Sequence, residues 1–200
     1  MDCGKVGALL YRLRKETGMT QKQVADRLNI SNKTISKWER GLGCPDVSLL
    51  GELSGLFQVN IEKILNGAIE TNGLEAGNLR RIKFYACTVC GNIISNTGNA
   101  EISCCGRRLT ALTAKPADEA HAVAIEDTDG STYVTFQHEM MKEHFISFVA
   151  YIRNDRLLFV KLYPEQEASV ILPDTNAAAL LRKHCGGLYY YCTRHGLYKL

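Results

Sequence analysis

The sulfur and imidazole groups of residues 82–200 constrain this chain more than any other feature. Cys87 and Cys90 form a CxxC, thirteen residues intervene before the adjacent pair Cys104-Cys105, and His121, His138, His144, Cys192 and His195 follow at wide intervals. CxxC spacing without a secretory pattern points to a metal more than to disulfides. The first four sulfurs make a tetrahedral set that suits iron or zinc. The other five residues offer four imidazoles and one thiolate, more nitrogen than a structural zinc site uses. A metal so held can be redox-active and keep one position open. Cys104-Cys105 is the unusual element. Neighbouring side chains diverge, so the pair should open the sulfur–metal–sulfur angle relative to a second CxxC.

At 200 residues, with 46% hydrophobic and 22% charged side chains, the chain has room for two or three small globular domains. No apolar run approaches a membrane span, and the first residues carry no cleavage pattern. The expectation is a cytoplasmic protein, neither secreted nor membrane-bound. The net charge of +3 is concentrated at one end. Residues 1–66 hold ten Lys/Arg against seven Asp/Glu, whereas residues 67–200 hold fourteen of each. Such a local excess suits a phosphate-facing surface.

That first third reads as five short helices. Val6, Leu9, Leu10 and Leu13 recur at helical spacing before Gly18, and Thr20 with Gln23 forms a capping box ahead of Val24, Ala25 and Leu28. Asn29-Ile30 is a tight turn, and Ser31 caps a third helix with Ile35 and Trp38 facing inward. Leu49, Leu50, Leu53 and Leu56 mark a fourth helix, and Ile61, Ile64 and Leu65 a fifth. Two short helices joined by such a turn are the helix-turn-helix pattern, whose second helix enters the DNA major groove. TQKQVADRLNISNKTISKWERG resembles the Cro/repressor helix-turn-helix family over about residues 5–66. The resemblance implies that Asn32, Lys33, Ser36 and Lys37 face base edges and that Gln21 and Thr34 meet the backbone of double-stranded DNA. Asn can bond adenine in bidentate fashion and Lys can reach guanine acceptors or phosphate.

Residues 67–81, GAIETNGLEAGNLRR, lack an apolar period and read as a linker. The segment IKFYACTVCGNIISNTGNAEISCCGRRL then resembles the small iron domain of desulfoferrodoxin through its CxxCGN and CCG elements. This implies an Fe(Cys)4 centre on Cys87, Cys90, Cys104 and Cys105. Beyond Lys115-Pro116, the runs YVTF, HFISFVAYI, RLLFVKLYP, ASVILP and GLYYYCTRHGLYKL read as short strands of an antiparallel sandwich. Asn154-Asp155 and Pro173-Asp174 supply turns, and Ala177–Lys183 one or two helical turns.

The whole stretch from residue 82 onward resembles the superoxide reductases of the desulfoferrodoxin and neelaredoxin group. EAHAVAIE carries His121, HEMMKEH carries His138 and His144, and CTRHG carries Cys192 and His195, in the family's order. The resemblance implies an immunoglobulin-like sandwich and an Fe(His)4Cys centre on those five residues. It implies Cys192 as axial thiolate and Glu119 as the carboxylate that caps the site once product has left. It also implies the one-electron reduction of superoxide to hydrogen peroxide, with a rubredoxin-like electron donor, as part of the oxidative-stress defence of an anaerobe.

The expected domains are thus 1–66 (helix-turn-helix), 67–81 (linker), 82–113 (desulforedoxin-like) and 114–200 (sandwich), and the chain is expected to be a homodimer. An alternative is a redox- or iron-sensing regulator that uses the same iron sites. Three positions depart from the family. Ala120 replaces its usual lysine, which removes a charge that would attract an anion, and Val123 and Glu139 stand where prolines are usual. His184-Cys185 falls outside the pattern and reads as loop. Cys3 and Cys44 read as free thiols.

Overall fold

The computed structural model describes residues 1–73, 79–153, 155–181 and 186–200. It contains two compact units, Met1–Thr71 and Asn72–Leu200. Part of the expected linker, Asn154 of the expected turn, and the pair His184-Cys185 lie outside the described residues. No helix among the described residues is long and apolar enough to cross a membrane.

The first unit is helical: α1 (Cys3–Glu16), α2 (Gln21–Arg27), α3 (Asn32–Glu39), α4 (Leu50–Phe57) and α5 (Ile61–Asn66). The caps fix where three of these helices start. The Asp2 side chain accepts from the Gly4 and Lys5 amides, Thr20 and Gln23 close a reciprocal capping box, and the Ser31 side chain accepts from the Thr34 amide. Asn29, at φ 53°, makes the turn between α2 and α3. Val6, Leu9, Leu10, Leu13, Val24, Leu28, Ile35, Trp38, Leu53 and Ile64 converge on one core. Trp38 belongs to that core, as expected. Ile69, from the stretch expected to be linker, also packs against it.

A buried polar clamp is added to this core. The Arg14 guanidinium donates to both carboxylate oxygens of Glu39, at 2.5 and 2.9 Å, and Gln21 Nε2 donates to the same carboxylate at 2.8 Å. Burial alone would raise the Glu39 pKa, but the bonds from Arg14 and Gln21 outweigh it and hold the carboxyl below its ordinary range. One carboxylate at the end of α3 thereby ties together α1, α2 and α3.

Cys3 and Cys44, read as free thiols, are instead joined in a disulfide with Cα atoms 4.9 Å apart. Their 41-residue separation hid the pairing. Two close backbone approaches bring them together. A Cβ on Gly7 would collide with the Trp38 carbonyl, and one on Gly41 would lie 3.0 Å from Gly4 Cα. Only glycine lets the start of α1 sit so near the end of α3.

The second unit opens with two small hairpins, β1 (Lys83–Ala86) with β2 (Ile93–Asn96), and β3 (Ile102–Cys104) with β4 (Arg107–Leu109). A sandwich follows, built from β5 (Lys115–Pro116), β6 (Val123–Thr128), β7 (Ser131–Phe136), β8 (Ile146–Arg153), β9 (Arg156–Lys161), β10 (Ser169–Pro173), α6 (Ala177–Leu181), β11 (Gly186–Cys192) and β12 (Gly196–Lys199). One sheet runs β10-β7-β6 and the other β5-β12-β11-β8-β9. Neighbours are antiparallel except for β5 and β12, which run parallel.

Strand β6, unread in the sequence because its end is acidic and exposed, is joined to β7 by Asp129-Gly130, with Gly130 at φ 74°. That dipeptide was the missed hairpin signal. In the larger sheet β8 is covered on both faces. Ile146, Val149 and Tyr151 enter the core between the sheets, while Phe148, Ala150 and Ile152 meet Phe84 of β1. Cys192 pairs with Ile146 and Tyr191 with Phe148, so Ser147 is the extra residue of a bulge beside Cys192.

Candidate metal centres

The β1–β2 and β3–β4 hairpins bring the Sγ atoms of Cys87, Cys90, Cys104 and Cys105 within 4.8 Å of one another. Cys87 and Cys90 flank a turn closed by Gly91 N–H donating to the Cys87 carbonyl at 2.8 Å. The amides of Cys90 and then Val89 donate toward Cys87 and bring its pKa down to about 6, so this sulfur favours thiolate at neutral pH. Crowding by Cys90 and Cys87 pushes Cys105 up to about 12 and also raises Cys104. Four sulfurs so close cannot all ionise unless a cation neutralises them, and the donor set fits a tetrahedral soft-metal site.

The expected divergence of Cys104 and Cys105 is countered by the backbone. Cys104 pairs with Arg107, and the two residues between, Cys105 and Gly106, have φ of 50° and 72°. A two-residue loop with both φ values positive is a type I′ hairpin turn. It places the adjacent sulfurs 4.0 Å apart, with Cys90 Sγ 3.5 Å from Cys104 Sγ.

The second cluster gathers His121, His138, Cys192 and His195, whose ligand atoms lie within 4.8 Å of one another. His144 adjoins it, with Nε2 3.3 Å from His195 Nδ1 and its ring 4.6 Å from that of His138. His121 ends a 3-10 turn (Glu119–His121), His138 and His144 lie between β7 and β8, and Cys192 and His195 bracket the turn from β11 to β12.

Hydrogen bonds set which nitrogen of the His121 and His138 rings faces inward. His121 Nδ1 is 2.5 Å from Asp118 Oδ1, which leaves Nε2 inside, 2.9 Å from His195 Nδ1. His138 Nδ1 is 2.5 Å from the Glu139 carbonyl, and its Nε2 is buried without a hydrogen-bond partner. The arrangement therefore offers Nε2 from His121, His138 and His144 and Nδ1 from His195. Burial favours the neutral form of His138 and of His195, the form that ligates. Cys192 is fully buried and accepts the His195 amide at 3.4 Å. An unpartnered buried nitrogen and convergent soft and borderline donors fit a transition metal.

Asp118 and two tyrosines were not read as site residues. Besides His121, Asp118 accepts the Tyr198 hydroxyl at 3.2 Å, and the Tyr190 hydroxyl donates to the His121 carbonyl at 2.6 Å. The bond to His121 comes first in holding the Asp118 carboxyl below its ordinary range. The D-x-x-H spacing on one turn was a signal for this pair. Lys115 Nζ sits 4.5 Å over the Tyr198 ring, whereas Lys142 lies 3.9 Å from Glu165.

An open cleft of about 490 Å³ leads to the histidines and is lined by Ala120, His121, Gln137, His138, Glu139, His144 and His195. Glu139 is thus the carboxylate among these lining residues. Glu119, the expected capping residue, is exposed on the 3-10 turn.

On the helical unit, Asn32, Lys33 and Lys37 are exposed on α3, and Thr34 and Ser36 are half-buried. Thr34 Oγ1 is 2.8 Å from Ser31 Oγ, and Gln21 is engaged by Glu39, although an amide carries a second N–H. Lys15 and Lys22, unread before, border a cleft with Thr20, Gln21 and Asn32.

The helix-turn-helix family model matches residues 10–64. The chain is 41% identical over 58 residues to the HTH-type transcriptional activator BcrR of Enterococcus faecalis, of whose length it spans only 28%, with 29% of this chain covered. Its likeness to the superoxide reductase of Treponema pallidum has a TM-score of 0.48 at 18% identity, covering 60% of this chain and 98% of that one. It is also 38% identical over 72 residues to the uncharacterized HTH-type transcriptional regulator y4dJ of Sinorhizobium fredii, covering 36% of this chain and 94% of that protein. The chain therefore belongs, through its helical unit, to the helix-turn-helix family of transcriptional regulators.

Proposed function

We propose that the chain is a non-haem iron superoxide reductase carried on a sequence-specific DNA-binding domain. The observation that supports this most is the convergence of three Nε2 atoms, one Nδ1 and the buried Cys192 sulfur beneath an open cleft. Iron held there would pass one electron to superoxide, which with two protons becomes hydrogen peroxide. The residues set the conditions for that transfer. Asp118 holds the His121 proton on Nδ1 so that Nε2 stays inward, and the Glu139 carbonyl does the same for His138. The His195 amide, donating to the Cys192 sulfur, fixes its position beneath the cleft. Glu119 is assigned the capping role, Cys87, Cys90, Cys104 and Cys105 a second iron, and Asn32, Lys33, Ser36 and Lys37 the reading of bases.

Anaerobic, iron-replete purification tests this reading. Two irons per chain are expected. Cys105→Ser should remove the tetrathiolate absorption alone, and Cys192→Ser should lower superoxide consumption by more than about 100-fold while sparing it. Zinc at both sites, or no superoxide consumption by the wild-type chain, would refute the proposal. A second reading, a sensor whose iron sites modulate DNA binding, is favoured by Ala120 and Glu139 on the cleft, which lower the local field for an anion. Identical DNA titrations for reduced, oxidised and iron-free protein would remove it.

A further inference from the structure

The disulfide in the helical unit lies outside both metal centres. It joins Cys3, the first residue of the 14-residue helix α1, to Cys44, five residues beyond the end of α3. Both residues are half-buried and so remain reachable from solvent. The intervening loop is closed onto α3 by the Gly41 amide donating to the Trp38 carbonyl at 2.8 Å and the Leu42 amide to the Lys37 carbonyl at 2.9 Å. Lys37 and Trp38 are residues of α3 itself. The covalent link thus fastens the far end of the recognition helix to α1, at the place where Gly4, Gly7 and Gly41 already bring the two backbones into contact.

We propose that Cys3 and Cys44 are an oxidisable dithiol, that hydrogen peroxide converts them to this disulfide, and that the oxidised form binds DNA more tightly. The proposal rests on the reductase reading in one respect, that superoxide reduction supplies the peroxide. Cys3 is placed to react first. Cys3 stands at the N-terminus of α1, where the helix dipole favours an anion, and the Asp2 carboxylate, bonded to the Gly4 and Lys5 amides, offsets part of that. The Cys3 thiolate attacks one peroxide oxygen, the O–O bond breaks, and hydroxide leaves as water after taking a proton, giving a sulfenic acid. The Cys44 thiol then attacks that sulfur, the S–S bond forms and a second water leaves. Two thiols lose two electrons, and one peroxide becomes two waters. The reduced unit keeps its apolar core and its Arg14–Glu39 clamp, so it stays folded. What it loses is the covalent restraint on α3, and a helix held in its bound geometry pays less ordering cost on DNA.

The full-length iron-loaded chain, thiol-reduced and anaerobic, is treated with hydrogen peroxide. Its binding to a pool of random-sequence DNA duplexes is then measured beside Cys3→Ser and Cys44→Ala. The wild-type chain should lose two alkylatable thiols, assigned by peptide mapping to Cys3 and Cys44. The helical transition should rise by about 10 °C or more, and DNA affinity by threefold or more. Neither variant should show the rise in transition or affinity. Cys3 and Cys44 still alkylatable after peroxide would overturn the proposal, as would an equal affinity gain in both variants or no gain in the wild type. A parallel arm supplies superoxide in place of peroxide. A disulfide formed by peroxide but not by superoxide leaves the dithiol standing and refutes the reductase supply.

Discussion

The helical unit and the tetracysteine module solve the same problem with different materials. Thirteen buried apolar side chains share the core of the first. Between residues 82 and 113 only Phe84, Tyr85 and Cys87 are buried, and four sulfurs stand where a core would be. The helical unit is a small protein that folds on apolar burial with one polar clamp. The module is two hairpins tied to each other by what the sulfurs bind, with only Phe84 and its neighbours packed against β8. The two regions should therefore fail under different insults.

The largest expected effect comes from removing metal. Structural metal sites in small domains contribute on the order of 10 kcal/mol, more than the β1–β2 and β3–β4 hairpins can supply alone. A chelator strong enough to strip the chain should abolish amide protection across residues 87–109, beyond the part of β1 packed on β8, and leave α1–α5 protected. Equal loss in both units would break the comparison.

Next in size is the clamp. Glu39→Ala strands the Arg14 guanidinium in a buried position, and breaking a buried pair costs about 3–5 kcal/mol. Chemical denaturation of residues 1–71 should show that loss, with the tetracysteine absorption of the full chain unchanged. The pH dependence has a definite sign. Because the folded-state pKa of Glu39 is lowered, its contribution is fully present above the unfolded carboxyl value and disappears as pH falls through the lower folded value. Helical-unit stability should fall with acid in the wild type and fall less steeply in the variant.

Smaller effects concern the exposed face of α3. Asn32→Ala or Lys33→Ala should each relax preference among duplexes by about 1–3 kcal/mol at the position contacted. Lys37→Ala should instead lower the salt slope if its partner is a phosphate. The smallest change is at the cleft, where, on the proposed reductase activity, Ala120→Lys should raise the superoxide rate a few-fold and steepen its decline with salt. A rate indifferent to ionic strength would mean that other residues already supply the field.

The same contrast governs what could be read in advance. Caps and turns of the helical unit are local, so Thr20-x-x-Gln23, Ser31 and Asn29 located α2 and α3 directly. The clamp was not legible, because nothing near Arg14 in the chain announces Glu39, and the Cys3–Cys44 bond was missed for the same reason. In the second unit the ligand types were visible as motifs, but their geometry was not. The inward nitrogen of His121 depends on Asp118, and the convergence of Cys104 with Cys105 depends on a left-handed residue that the dipeptide CC does not suggest. Strand β6 was missed although Asp129-Gly130 marked its hairpin.

Strand β8 is a partition with a different neighbour on each side. Consecutive residues along it belong to separate compartments: Val149 and Tyr151 look toward the core that contains Cys192, and Phe148 and Ala150 toward the face shared with Phe84 of the tetracysteine module. Position parity along one short strand thus becomes an address. A volume change at 149 and the same change at 148 are neighbours in the gene, yet each should register at a different candidate metal centre.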